Sequence, residues 1–149
     1  MPDRQILVQY AVDFPRLPDR KDIVCWASAG LQESRQDVEV VVRIVDAAES
    51  EALNRQYRHK DGPTNVLSFP YDPIPGVGQA IRGDVVICAP VVEQEARSQG
   101  KTSDSHWAHI VIHGVLHLLG YDHQDDDQAR IMEDHERRLL HGLGYADPY

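Results

Sequence analysis

Apolar positions along the first half of the chain alternate between a period near two and a period near 3.6. QILVQYAV, residues 5–12, has the β-branched and aromatic content of a strand. DRKDIVCWASAGLQ follows, with Ile23, Trp26, Ala27, Gly30 and Leu31 at helical spacing. VEVVVRIVD then alternates cleanly, so that Val38, Val40, Val42 and Ile44 share one face of a strand. Asp46 and Glu49 make a capping-box-like start for a helix that carries Leu53 and Tyr57 one turn apart. TNVLSFPY and GDVVICAP read as two further strands. Between them DPIPGVGQAIR, rich in proline and glycine, predicts a loop that frames a site.

Pro90 suits the first turn of a helix through VVEQEARSQ, in which Glu93 and Arg97 are placed to pair four residues apart. Thr102, Ser103 and Asp104 offer caps for a helix running to about Leu119. A last helix, from about Asp126 to His141, sets Ile131, His135 and Leu139 on one stripe. The order β-α-β-α-β-β-α-α-α predicts an α+β fold, a small mixed four-stranded sheet covered by helices. With no internal repeat, low-complexity segment or dividing linker, residues 1–149 are expected to form a single domain.

Composition narrows the setting. No run approaches the roughly 18 apolar residues of a membrane span, and MPDRQILVQYAVDF has no signal-peptide core, so a cytoplasmic protein without membrane contact is expected. Cys25 and Cys88 stand alone and are expected to be buried small hydrophobes. A net charge of −9 argues against indiscriminate attraction to nucleic acid. The charge is uneven, however. Residues 121–149 hold eight acids against three arginines, whereas RQYRHK, residues 55–60, holds three bases and no acid. Screening confines each field to about 10 Å, so a local basic patch survives a negative total.

The densest chemistry is HGVLHLLGYDH, residues 113–123. Residues four apart on a helix differ by about 40° of rotation, so His113 and His117 project from one face. Gly120 stands where a helix ends in the left-handed conformation, and the chain then doubles back to deliver His123 to that face. Three imidazoles with a fourth position left open is the donor set of a catalytic zinc site, although imidazole also suits nickel, copper and iron. The competing reading is that His113 and His117 simply pack into the core. His109, one turn earlier, is expected to be a packing or supporting residue, His106 to be exposed near the helix start, and His135 to be a satisfied core histidine. His59 and His141 read as surface residues. Zinc peptidases of the H-E-x-x-H type carry their general base where this chain has Gly114, which counts against peptide hydrolysis and suggests room for a bulky ligand. Arg58 can grip a phosphate through its planar fork of donors. Taken without further information, Arg55, Arg58 and Lys60 read first as an ordinary solvated helix end.

HGVLHLLGYDH resembles the H-G-x-L-H-L-x-G-Y-D-H hallmark of the YbeY family of metal-dependent endoribonucleases. LNRQYRHKDGPTNVLSFP and RGDVVICAP resemble that family's two preceding blocks, in the family's order, from about residue 38 onward. The resemblance implies one zinc ion on His113, His117 and His123, and a contribution of Arg58 to cleavage. It implies single-stranded RNA as substrate, 3′-end maturation of 16S ribosomal RNA, a part in ribosome quality control, and the small ribosomal subunit and its proteins as partners. Asn65 departs from the T-D-V-L-S-F of many members, so no catalytic carboxylate is expected there. Asp122 is the expected partner for a ligand imidazole. Two other functions fit parts of the pattern: a non-enzymatic, zinc-stapled ribosome-assembly factor and a metallopeptidase-like hydrolase.

Overall fold

The described residues form β1 (Arg4–Ala11), α1 (Arg20–Gly30), β2 (Asp37–Val45), α2 (Ala47–Arg58), β3 (Val66–Pro70), β4 (Ala80–Cys88), α3 (Ala89–Ser98), α4 (Ser103–Leu118) and α5 (Asp126–Gly142). This is the expected α+β order. The computed structural model describes residues 3–72, 75 and 80–149. Most of DPIPGVGQAIR, predicted to be a site-framing loop, lies outside the described residues, and its last three residues belong to β4.

The sheet runs β1-β2-β4-β3. Long connections through helices allow β1, β2 and β4 to lie parallel, and β3 adds an antiparallel edge against β4. The alternation in β2 has the predicted result: Val38, Val40, Val42 and Ile44 are each no more than 1% exposed. They join Ile23, Trp26 and Ala27 of α1 and the apolar residues of α4 in the main core. Each such side chain contributes on the order of 1.5–3 kcal/mol by leaving water. The other sheet face carries a smaller cluster, Val45, Leu67, Val86 and Cys88, covered by Leu53 of α2 and Val91 of α3.

Helix α4 is the centre of the fold. Residues His106 to Ile112 and Gly114 to Leu116 are all buried, so it has no solvent-facing stripe over most of its length. Thr102 caps it by accepting from the Ser105 amide at 3.2 Å. Helix α2 is seated differently. Its buried side chains are Ser50 and Asn54, with Leu53 half-buried and Tyr57 exposed. Ser50 Oγ donates to the Thr64 carbonyl at 2.9 Å and accepts from the Thr64 amide at 3.0 Å, and Asn54 Nδ2 donates to the Gly62 carbonyl at 2.9 Å.

Tertiary partners redirect several polar side chains from their expected local roles. Asp46 caps α2 through the Glu49 amide at 2.9 Å, but the Glu49 carboxylate turns to Arg43 at 2.7 and 3.0 Å and leaves the capping box half-built. Glu93 does not pair with Arg97. It is buried against α4, accepting from Ser103 Oγ at 2.6 Å and Trp107 Nε1 at 2.8 Å. The inner stripe of α5 is Met132, His135, Glu136, Leu139 and Leu140, which keeps the expected His135 and Leu139 but leaves Ile131 exposed. Cys88 is buried as expected, but Cys25 is exposed because α1 turns that position outward.

Candidate metal centre and cleft

The C-terminal end of α4 builds the site. Gly120 adopts φ +100°, the Gly120 amide donates to the His117 carbonyl and the Tyr121 amide to the Leu116 carbonyl, both at 3.1 Å. This paired closure ends the helix and reverses the chain. Asp122 then accepts from the His123 amide at 2.7 Å, holding the turn rather than an imidazole. The structure brings His113, His117 and His123 together, with ring nitrogens mutually within 4.8 Å. The Nε2 atoms of His113 and His117 face each other at 3.2 Å. Two neighbouring imidazole nitrogens at that separation share either one proton or one cation.

Which nitrogen carries a proton follows from the neighbours. Glu136 of α5 is fully buried, and its carboxylate can only accept. His113 Nδ1 donates to Oε1 at 2.8 Å, and His109 Nε2 and the Tyr149 hydroxyl donate to Oε2 at 2.6 and 2.7 Å. Burial alone would raise the Glu136 pKa, yet the hydrogen bonds from His109 and His113 outweigh it and hold the group well below the usual carboxylate range. With its proton on Nδ1, His113 keeps an Nε2 lone pair turned toward His117. Burial, reinforced by His113 and His123, lowers the His117 pKa to about 4, so this ring is neutral at pH 7. Neutral rings are what a metal requires.

A second group, His109, His113 and Glu136, also lies within 4.8 Å, but its donor atoms are already hydrogen-bonded to one another, and His109 and Glu136 are buried. The donor chemistry therefore fits a cation on the outer, Nε2 side of His113. His109 is a buried packing residue, one of the two roles expected of it, bonded to Glu136. His106, expected to be exposed, is buried, and its Nε2 lies 3.0 Å from Glu95 Oε1. His135 is a buried histidine stacked on Tyr121 at 5.1 Å and bonded to Arg138. His59 and His141 are exposed as expected.

The histidines open into a cleft of about 700 Å³ that Tyr57, Arg58, Lys60, Asn65 and the Val66–Phe69 edge of β3 also line. The basic segment divides into two parts here. Arg55 is held by Glu51 at 2.9 Å, whereas Arg58 forms no ion pair among the described residues and faces the histidine cleft. Asn65 lines the cleft as well, and its amide donates to the Glu95 carboxylate at 3.2 and 3.3 Å. No room for a ligand is found at Gly114. A Cβ there would lie 2.5 Å from Val85 Cγ1 and 3.0 Å from Val66 Cγ2, so the glycine lets α4 sit directly on β3 and β4.

Sequence reasoning missed Glu136. The signal was present: Met132, Glu136, Leu139 and Leu140 share the spacing of a buried helical face, and a carboxylate on such a face requires dedicated donors.

Two comparisons bear on this geometry. The family model described as Endoribonuclease YbeY matches residues 19–144, beginning well ahead of the motif blocks. The solution structure of TM1509 from Thermotoga maritima, a NESGC target called VT1, is similar at a TM-score of 0.62 and 26% identity. The match covers 97% of this chain and 98% of that one.

Proposed function

Because the chain belongs to the YbeY endoribonuclease family, we propose that this RNA-cleaving hydrolase is metal-dependent and that His113, His117 and His123 hold one divalent ion, zinc by preference. The observation that carries this reading is the convergence of three imidazoles on the wall of a cleft that Arg58 and Lys60 also line. When bound, the ion supplies Lewis acidity toward a phosphoryl oxygen and acidifies water. The chain's own residues do the rest. Arg58, with no carboxylate partner among the described residues, binds the scissile phosphate and stabilises the charge that develops on it. Lys60 adds attraction for the backbone on either side. Glu136 holds His113 in the tautomer a ligand needs.

Single-stranded RNA is the substrate in this reading, and its biological form is 16S ribosomal RNA during 3′-end maturation and ribosome quality control. The small ribosomal subunit is the partner and the cytoplasm the location, and no described helix is long and apolar enough to cross a membrane. A peptidase is disfavoured on packing grounds, since the glutamate that such an enzyme needs at position 114 has no space beside Val85. The test is Arg58→Ala. Cleavage of a single-stranded RNA is expected to fall by at least 100-fold, as when an oxyanion donor is removed, with metal content unchanged. Cleavage at the parent rate overturns the assignment.

A further inference from the structure

Residues 145–149 fold back across α4 and α5. The Tyr145 amide donates to the Leu140 carbonyl at 2.9 Å, Lys101 Nζ donates to the Pro148 carbonyl at 2.7 Å, and Arg137 holds Asp147 at 3.1 Å. Arg137 also lies over the Tyr149 ring, 5.2 Å from its centre. The ring is partly exposed, but its hydroxyl reaches inward to Glu136 Oε2 at 2.7 Å and lies 3.3 Å from His109 Nε2. The strap thus brings one polar atom to a carboxylate that is otherwise sealed by α4 and α5.

That carboxylate has three donors in different directions: His113 on one oxygen, His109 and Tyr149 on the other. The two histidine donors rise from the same helix one turn apart, so they restrain the carboxylate from one side only. The third donor comes from another segment and holds Oε2 from a second direction, so that a shift of α4 alone does not carry the carboxylate with it. We infer that Tyr149 is a positioning residue for the proposed metal site, its hydroxyl locking Glu136 so that His113 keeps Nδ1–H inward and Nε2 toward His117. This inference rests on the reading of the histidine trio as ligands. In this role Tyr149 acts through two intervening groups, Glu136 and His113, the arrangement in which outer hydrogen bonds typically tune metal affinity by about 10–100-fold.

The test is zinc and cobalt affinity of the full chain, stripped of metal and measured by competition with a chromophoric chelator. Tyr149→Phe keeps the ring under Arg137 and removes only the hydroxyl. It is expected to weaken binding about tenfold while the metal-free melting temperature moves little. The nitrogen chemical shifts of the His113 ring are expected to show a single Nδ1–H tautomer in the parent and a mixture in Tyr149→Phe. His117→Ala serves as the reference and is expected to lose binding. If His117→Ala loses binding while Tyr149→Phe stays within twofold of the parent with an unchanged His113 tautomer, the positioning role is overturned and the ligand reading stands. If His117→Ala binds as the parent does, the ligand reading fails and the inference with it. A Tyr149→Phe variant that melts earlier but binds metal normally marks the strap as structural only, which also overturns the positioning role.

Discussion

Replacing Gly114 by alanine sets two physical effects against each other. In an isolated helix the substitution is favourable by about 1 kcal/mol, because alanine loses less backbone freedom. In this fold the new methyl would stand 2.5 Å from Val85 Cγ1 and 3.0 Å from Val66 Cγ2, where carbon atoms ordinarily keep about 3.5–4.0 Å. Helix α4 or strand β4 must therefore shift by about 1 Å. Val85 is completely buried and cannot swing into solvent. Overpacking of this kind costs about 1–3 kcal/mol. The shift also strains the bond from Ser68 Oγ to the Gly114 carbonyl, now 2.8 Å, which is worth about 1 kcal/mol. The net expectation is a destabilisation of about 1–3 kcal/mol, or about 2–4 °C of melting temperature for each kcal/mol. Urea unfolding of metal-free protein is the assay, with a lower midpoint and an unchanged slope as the expected result. A midpoint equal to or above that of the parent would refute the close-packing account and leave helix propensity as the governing term.

Three further outcomes follow from the geometry. Asn65→Asp puts a carboxylate against Glu95 in place of an amide donor and is expected to cost about 1–3 kcal/mol at neutral pH, with stability restored when Glu95→Gln is added. Burial lowers the His106 pKa below its ordinary 6.5 despite the bond to Glu95, so below that pH the unfolded chain binds more protons than the folded one. Stability of the metal-free protein should therefore decline as pH falls from 6.5, and less steeply in His106→Gln, where the amide still donates to Glu95. An equal slope in the two proteins counts against this assignment. Zinc at 100 times its dissociation constant should stabilise the parent by about 2.7 kcal/mol and leave His117→Ala unmoved in thermal melts.

Much of the site was legible because it is local. His113, His117, Gly120 and His123 occupy eleven consecutive residues, and helix geometry with one glycine turn determines where they go. Strand β2 was equally readable, since its alternation needs only one buried face. What could not be read was which distant partner claims a polar side chain. Glu93 had a plausible neighbour in Arg97 but found Trp107 and Ser103, and Glu49 left its cap for Arg43. His106 looked exposed because it starts a helix, yet α3 covers it through Glu95. In the sequence Gly114 suggests space for a ligand, whereas in the fold it is space for a strand. On α5 the expected stripe residues His135 and Leu139 are buried, but tertiary packing continues the stripe to Met132 and leaves the more apolar Ile131 exposed.

The seat of α2 bears on how this protein is handled at the bench. The histidine-bearing helix is buried on nearly all sides, whereas the arginine-bearing one is anchored by Ser50 and Asn54 through hydrogen bonds that urea and warm buffer compete for directly. Under the proposed roles of Arg58 and the histidine trio, mild stress is expected to lift the arginine away first and leave a bound ion in place. Zinc stoichiometry in an aged preparation would then overcount competent molecules, and specific activity normalised to it would drift downward with storage at constant metal content.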